Sequence, residues 1–412
     1  MGGIILSLVL FPRTILGSSP FDTGRSGISG YEPRLMTYTV AIILVVLVAV
    51  VSRSIRTSAL LIAPACIFLT LWSQFIWRGT TQELAGSLHL FVALLGWVAG
   101  IYLSRLTSHR RELRALLVLI LLATAFQLLV VIVQTAGVPI FPQSAGSAIY
   151  EGGRANGTFG HPSTLGKILL LTSAVVLPST VSKQRSIRNM SWWILGLAVP
   201  ATVLTESRAN ALSLGILLVG WVVLLPTSQN LGKKITIVAG LGLVVFLSAG
   251  IWAERIATGE DGTFRAHFTE VALASISLMP WSGTGPNSYV EVAGRLDALT
   301  ASGWPVHNSF LLAAAELGIA GAVALFLPMI ALALRSAIRV LALRPSPSDK
   351  AAIVMTIAIL PIALTGWGMM SDTLPLWYFA AGYLWGAPVA ALPKDQGGLS
   401  LGASKRLHQP VE

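Results

Sequence analysis

The stretch WPVHNSFLLAAAELGIAG, residues 304–321, determines how the rest of this chain is interpreted. It opens with polar residues and then becomes apolar, and the apolar part continues to about Leu334. That length is sufficient for a helix to cross a lipid bilayer, even with a bend at Pro328. The sequence therefore predicts a membrane-spanning helix whose first residues lie at the membrane surface.

A histidine stands immediately before this predicted helix. Asn308 or Ser309 is suited to be the N-cap, which places His307 just outside the helix N-terminus. The partial positive charge of that end favours an anion and disfavours a second proton on the imidazole. A neutral imidazole beside an anion site can act as a general base, but a polar residue at a membrane surface explains this stretch equally well.

The composition is that of a membrane protein. Of the 412 residues, 54% are hydrophobic and only 11% are charged, and the mean hydropathy is +0.75. The formal net charge of +11 does not indicate nucleic acid binding, because the basic residues stand between apolar runs. Cys66 is the only cysteine, which excludes an internal disulfide and a cysteine metal site.

Apolar segments recur along the whole chain without an internal repeat or a linker. They predict an all-α, polytopic bundle of about twelve transmembrane helices in a single membrane domain, residues 1–412. The first segment is short and is the weakest of the set. The segments are roughly 4–16, 35–51, 57–76, 86–103, 115–134, 165–181, 192–204, 211–225, 235–252, 309–334, 351–369 and 374–391.

The basic residues are distributed unevenly between the connecting loops. Alternate loops and the C-terminal tail hold 18 of the 28 lysines and arginines but only four of the 17 acidic residues. By the positive-inside rule these loops, the tail and both termini are predicted to be cytoplasmic. The opposite side then receives the two long loops 135–164 and 253–308, the second with a helix-like run at about 264–279. Long loops usually carry function, so we expect any chemistry to be extracytoplasmic.

Two predicted segments, 192–204 and 211–225, are shorter than a normal span and flank the sequence TESRAN. One continuous helix would place Glu206 and Arg208 inside the bilayer and reverse the sidedness of every later loop. We therefore predict two short helices with TESRAN dipping below the outer surface. Arg208 either extends to lipid headgroups or binds an anion, since a guanidinium offers two parallel donors to a phosphate.

Another arginine, Arg154, lies in the glycine-rich sequence EGGRANGTFGHPSTLGK, residues 151–167. Its glycines permit tight turns whose N–H groups can surround an anion, although a flexible surface loop explains them equally well. Two extracytoplasmic arginines beside helix N-termini indicate a doubly charged anion such as a diphosphate. Arg265 and His267 are better explained by an interfacial helix face, and His161 by a plain loop position.

Other kinds of chemistry lack their motifs. The chain has no G-x-x-x-x-G-K-[ST] loop, which excludes an ATPase of that type. No cluster of His, Asp or Glu has metal-ligand spacing, so neither a metal nor another cofactor is expected. Glu316 follows His307 by nine residues, about 2.5 helical turns, and so faces the opposite side of the predicted helix. It is expected to bond a neighbouring helix or to stay protonated.

Four short motifs in one order resemble the O-antigen ligase family and related polysaccharide polymerases. The resemblance covers roughly residues 150–335, with the long outer loop 253–308 just before the histidine. One departure is HPST at 161–164, where asparagines are common. The motifs are HNSFLLAAAELGIAG at 307–321 for H-[NSQ]-x9-G-x-x-G, TESRANALSLG at 205–215 for S-R-x-A/G with R-x3-L, RANGTFGHPSTLG at 154–166 for R-x-x-G-T-F-x-x-P-N, and GTGPNSY at 283–289 for G-x-G-x-x-x-Y/F.

This resemblance implies a metal-independent membrane glycosyltransferase that makes polysaccharide for the cell envelope. Such an enzyme transfers a glycan from undecaprenyl diphosphate to a hydroxyl of an acceptor glycan or glycolipid, on the outer face of the cytoplasmic membrane. Arg154 and Arg208 would hold the diphosphate as it leaves, and His307 would position or deprotonate the acceptor. Other implied substrate contacts are Asn308, Ser207, Gly157, Thr158, Arg265, Tyr289 and Glu316.

Two other interpretations stay open at this point. A transporter or flippase of lipid-linked oligosaccharides would act on the same donor, and it is expected to have internal repeats and broken helices with polar sites near the membrane midplane. The second interpretation is a structural membrane protein without activity. Partners in every case include membrane lipids and exclude nucleic acid.

Overall fold

The computed structural model is a bundle of α-helices with one very short antiparallel β-ladder. Five of its helical segments are long and apolar enough to cross a membrane, so this is the architecture of a multi-pass membrane protein. The predicted all-α membrane bundle is confirmed at that level. The structure describes residues 14–16, 35–51, 69, 72, 75, 79–138, 140–141, 154–159, 161–225, 261–343, 345–366, 370 and 373–387.

Within these residues there are twelve α-helices, and a 3-10 turn, Leu177–Val181, continues the fourth. Strand β1 is Thr14–Leu16 and strand β2 is Leu35–Met36. The helices are α1 Thr37–Val51, α2 Thr81–Leu106, α3 Arg110–Thr135, α4 Pro162–Val176, α5 Arg185–Val203, α6 Arg208–Leu224, α7 Asp261–Leu278, α8 Tyr289–Ala293, α9 Ala298–Ala301, α10 Ser309–Leu341, α11 Pro347–Thr365 and α12 Leu374–Gly386.

Nine of the twelve predicted segments coincide with helices, namely α1 to α6 and α10 to α12, and the run predicted at 264–279 is α7. The first segment is corrected in part, because its described residues 14–16 pair with β2 as a strand. Segment 235–252 and all but three residues of 57–76 lie outside the described residues. The count of twelve spans therefore stays a prediction.

Helices α2 and α12 pack closely and run parallel. A side chain at Gly96 would collide with the backbone of Pro375, and one at Gly100 with the backbone of Phe379, one turn further along both helices. Gly382 approaches the backbone of Trp97 in the same way. Small residues four apart on both helices let the two backbones approach, as is common inside membranes. Both helices therefore begin at the same end of the bundle.

Contacts between helix ends show that α6 and α10 begin at the same end of the bundle as each other. The Ser309 hydroxyl, at the start of α10, donates to the carbonyl of Gly366 after α11 (2.7 Å). The Lys350 ammonium, at the start of α11, donates to the carbonyl of Leu224 at the end of α6 (2.9 Å). Helix α11 is thus antiparallel to both. We call the end that holds the starts of α4, α6 and α10 the site end.

The opposite end, which we call the basic end, collects the arginines predicted to be cytoplasmic. The Arg335 guanidinium donates to the carbonyl of Trp385 (2.9 Å) and lies over its ring (4.3 Å from the centroid), which joins the ends of α10 and α12. Arg339 contacts Asp349 (3.3 Å), which caps the start of α11 together with Ser346. The alternation of basic and non-basic loops in the sequence therefore corresponds to the two ends of the folded bundle.

Helix α10 is interrupted near its start. Gly318 has a φ of +69° and a ψ of 170°, a conformation that residues with a side chain rarely adopt. The N–H of Ile319 donates to the carbonyl of Pro280, in the loop between α7 and α8 (2.8 Å). The interruption lies ten residues before Pro328, where the sequence predicted a bend.

The same loop bonds the carbonyl groups that the interruption frees. The N–H of Thr284 donates to the carbonyl of Ala315 (2.7 Å), and the N–H of Gly285 donates to that of Glu316 (2.9 Å). Buried backbone groups need partners, so the turn-rich sequence before α8 and the break in α10 stabilise one another.

We predict that Gly318→Ala lowers the apparent melting temperature in detergent, and that Gly215→Ala does not. A side chain at Gly318 would collide with the carbonyl of Trp281 and would adopt a strained backbone conformation worth roughly 1–3 kcal/mol by itself. Gly215 is a matched control because a Cβ there meets nothing within 4 Å. Equal melting temperatures for the two variants would contradict the interrupted helix.

Reporter fusions test the two ends. Fusions after residues 108, 187 and 345, all at the basic end, should report the cytoplasm, and a fusion at 285, beside the site end, should report the opposite side. The predicted outer loop at 150, which lies outside the described residues, should agree with 285. An extracytoplasmic signal at 345 would contradict this sidedness.

Candidate functional site

Arg154 reaches the turn between α5 and α6. Its Nε and Nη2 atoms both donate to the carbonyl of Thr205 (3.1 and 2.9 Å), and Nε lies 4.0 Å from a carboxylate oxygen of Glu206. The side chain of Arg154 is only 12% exposed, so its guanidinium is held in place. The fold thus brings together two motifs that stand about fifty residues apart in the sequence.

The TESRAN sequence forms the predicted turn between two helices, with Glu206 at a φ of +57°. Helix α5 begins earlier than predicted, at Arg185, and is not unusually short. Ser207 is the N-cap of α6, but its side chain does not cap the helix. Its hydroxyl instead accepts from the amide of Asn210 (2.9 Å), and Arg208 is the first helical residue.

Two glutamines of α3 hold the loop that follows Arg154. Gln134 accepts from the backbone N–H groups of Asn156 and Gly157 (3.0 and 2.8 Å) and donates to the Asn156 side chain and the Gly157 carbonyl (both 2.9 Å). Gln127 accepts from the N–H of Thr158 (3.1 Å) and donates to its hydroxyl (2.7 Å). Gly157 and Thr158, the predicted substrate contacts, are therefore bonded to α3.

These glutamines were missed by the sequence analysis. Their only signal is a pair of amides seven residues apart, on one face of an otherwise apolar helix. His161 is the N-cap of α4, where its Nδ1 accepts from the N–H of Ser163 (3.0 Å). That capping role agrees with the interpretation that His161 is not a base.

The start of α4 is tied directly to the start of α6. The side-chain amide of Asn210 donates to the carbonyl of Ser163 (2.9 Å) as well as to the hydroxyl of Ser207. Asn210 is almost fully buried. Two helix N-termini and the Arg154 loop therefore meet at one place on the site end.

His307 is half-buried, and two aromatic rings lie beside it. The ring of Phe268, on α7, stacks at 5.9 Å with an interplanar angle of 28°, and that of Trp304 stacks at 6.3 Å with an angle of 21°. Asn308 is the N-cap of α10, and its side chain accepts from the N–H groups of Phe310 and Leu311 (3.0 and 3.2 Å). The predicted cap is confirmed, and it places the imidazole just outside the helix.

A histidine–carboxylate pair lies next to these rings. The Nε2 of His267 is 2.7 Å from one oxygen of Asp297, and the other oxygen accepts from the N–H and the hydroxyl of Thr300 (2.7 and 2.8 Å). Burial alone would raise the pKa of Asp297, but these hydrogen bonds outweigh it and hold the pKa below its usual value. The neighbouring Arg265 is exposed, as expected for an outer helix face.

Two residues that the resemblance implies as substrate contacts are buried under the loop before α8. Tyr289 is 0% exposed, and burial together with the nearby charges of Asp297 and Glu316 raises its pKa. The Glu316 carboxylate accepts from the backbone N–H groups of Asn287 and Tyr289. The sequence predicted that Glu316 bonds a neighbouring helix or stays protonated, and its carboxylate does bond the first residue of α8, Tyr289, together with Asn287 of the loop before it.

The site end thus carries two groups of polar residues. One consists of Arg154, Arg208 and the turn between α5 and α6, and the other is His307 with its aromatic neighbours. Met370 packs against the apolar core of the bundle, which includes Ala155, and against the cluster that contains Phe268. Among the described residues no group of three or more His, Cys, Asp or Glu side chains could hold a metal ion.

The chain matches no protein-family model, and no curated protein matches it. The resemblance to the O-antigen ligase family therefore rests on the four motifs alone.

We predict that Gln134→Met releases the Arg154 loop. The change keeps the size of the side chain but removes every amide hydrogen bond, and it leaves buried groups of Asn156 and Gly157 without partners. Tryptic cleavage after Arg154, followed by mass spectrometry, should become several-fold faster. Gln184→Met, at the basic end, is the control and should cleave like the wild type. Unchanged cleavage in Gln134→Met would show that α3 does not hold this loop.

Proposed function

We propose that this protein is a membrane glycosyltransferase of the O-antigen ligase or polysaccharide polymerase type. It would transfer a glycan from undecaprenyl diphosphate to an acceptor hydroxyl at the outer face of the cytoplasmic membrane. The observation that carries the proposal is the placement of Arg154 against the turn that begins α6, with Arg208 at that helix N-terminus and His307 at the same end of the bundle.

The two helix N-termini support a division of labour. Asn308 caps α10 with its side chain, so part of the hydrogen-bonding capacity of that end is used. The side chain of Ser207 makes no such cap on α6. The first N–H groups of α6, the helix dipole and the two guanidinium groups therefore favour an anion beside α6. We assign the diphosphate to this place.

We assign the acceptor hydroxyl to the second group, His307 with its aromatic neighbours. The rings of Phe268 and Trp304 lie beside the His307 imidazole at low interplanar angles and restrict how that ring can turn. A neutral imidazole held in this way can accept a proton from a hydroxyl group. Trp304 also offers an apolar surface beside the histidine.

The proposed reaction needs only these groups. The acceptor oxygen forms a bond to the anomeric carbon of the donor sugar, while the bond from that carbon to the phosphate oxygen breaks. The acceptor proton passes to His307, and the electron pair of the broken bond leaves on undecaprenyl diphosphate. Negative charge grows on the leaving diphosphate, so fixed guanidinium donors contribute most in the transition state.

One observation favours the alternative, a transporter or flippase of lipid-linked oligosaccharides. Such a protein is expected to have broken helices, and α10 is broken at Gly318. The break, however, lies ten residues from the start of a 33-residue helix, and backbone groups of the loop before α8 occupy it. It is therefore not central in that helix, and backbone groups fill it.

We predict that Arg208→Lys almost abolishes transfer while the protein still inserts at normal levels. Lysine keeps the charge but loses the planar pair of donors, and loss of one transition-state donor reduces a rate on the order of 10²–10³-fold. Transfer is measured with a radiolabelled undecaprenyl-diphosphate glycan. Arg188→Lys, on α5 near the basic end, is the matched control and should retain full transfer.

We predict that His307→Ala also blocks transfer, by roughly 10²–10⁴-fold, but leaves donor binding intact. A photo-crosslinkable undecaprenyl-diphosphate glycan should label His307→Ala like the wild type and should label Arg208→Ala much less. His109→Ala, an exposed histidine at the basic end, is the control. Equal labelling of the His307 and Arg208 variants, or normal transfer by His307→Ala, would overturn these roles.

A further inference from the structure

The geometry points to a positioning role for the Asp297–His267 pair, which holds Phe268 of α7 against the imidazole of His307. We call these two residues the clasp. Thirty residues separate them in the sequence, and neither belongs to a motif that the resemblance covers. The inference rests on the proposed function only in taking His307 to be the working imidazole.

Asp297 is itself held in place by hydrogen bonds. Asp297 is the N-cap of the short helix α9, and one of its carboxylate oxygens accepts two hydrogen bonds from Thr300. The other oxygen is then directed at Nε2 of His267, 2.7 Å away. Since an ionised carboxylate only accepts hydrogen bonds, the Nε2 atom of His267 is the donor in this pair. The depressed pKa of Asp297 agrees with an ionised acceptor.

The clasp fixes the face of α7 that touches the candidate site. Phe268 directly follows His267, and its ring centroid lies 6.0 Å from that of His267 and 5.9 Å from that of His307. Phe268 is buried in an apolar cluster with Ala272, Tyr289 and Val306. Any movement of the start of α7 would therefore change how Phe268 covers His307.

The start of α7 needs a stabilising contact. Residues 264–266, just before His267, are exposed, although α7 as a whole packs against α10. The hydrogen bond to a charged carboxylate is about twice as strong as a neutral one. It joins α7 to the segment between α8 and α9.

The test measures how fast diethyl pyrocarbonate modifies His307, read peptide by peptide in the full-length protein. His267→Leu removes the donor, and we expect His307 to react at least about threefold faster, because a charge-assisted hydrogen bond is lost. His267→Gln is the rescuing variant, since its amide nitrogen can take the place of Nε2 and donate to Asp297. It should react like the wild type. If the side chain of residue 267 only filled space, the rate at His307 would not differ in this way between the Gln and Leu variants.

A second variant and an internal control keep the test decisive. Thr300→Val removes one bond from Asp297 without altering α7, and it should also raise the rate at His307, by less than His267→Leu. The half-buried His89 reports general unfolding in the same samples, and the exposed His109 reports the amount of reagent. Faster reaction at His307 alone supports the clasp, and equal rates at His307 in the Leu, Gln and wild-type proteins overturn it. Because the readout is chemical labelling, failure of the transfer assay would contradict the proposed function and not the clasp.

Discussion

The structure around His307 depends on one set of backbone hydrogen bonds, between the interrupted helix α10 and the loop that precedes α8. Gly318 opens the helix, and N–H groups of Thr284 and Gly285 bond the carbonyls of the turn before it. Without that loop, buried carbonyl groups would face an apolar interior, at a cost of several kcal/mol each in a membrane. The interruption therefore holds residues 280–285 of that loop against the start of α10, the helix that follows His307 directly.

The N-termini of α6 and α10, both at the site end, differ in the side chains that they carry. Helix α10 carries a side-chain cap and a histidine, whereas α6 carries an arginine and no side-chain cap. The α3 glutamines then bring Arg154 to the α6 side. In the function we propose, the anion lies at one place and the proton acceptor at the other, which is the separation that transfer from a charged leaving group to a hydroxyl requires.

Much of this fold could be predicted from the sequence, because long apolar runs and helix caps are local signals. The apolar run of α10, the cap at Asn308 and the turn at TESRAN are examples. The break at Gly318 could not be predicted, since Pro328 is the stronger local signal and the loop that compensates the break lies more than thirty residues earlier. In the candidate site, Arg154, Arg208 and His307 were predicted, but Gln127, Gln134 and the His267–Asp297 pair were not. Their partners lie about 20 to 30 residues away and are chosen by tertiary packing.

The central claim is that the site end breaks the bond between a glycan and its lipid diphosphate rather than moving the intact lipid. Purified protein in vesicles, supplied with an undecaprenyl-diphosphate glycan and a hydroxyl acceptor, tests it by mass spectrometry of the lipid fraction. We expect free undecaprenyl diphosphate to accumulate together with glycosylated acceptor, in equal amounts. Movement of the intact lipid-linked glycan across the vesicle membrane, with no free undecaprenyl diphosphate formed, would contradict the account.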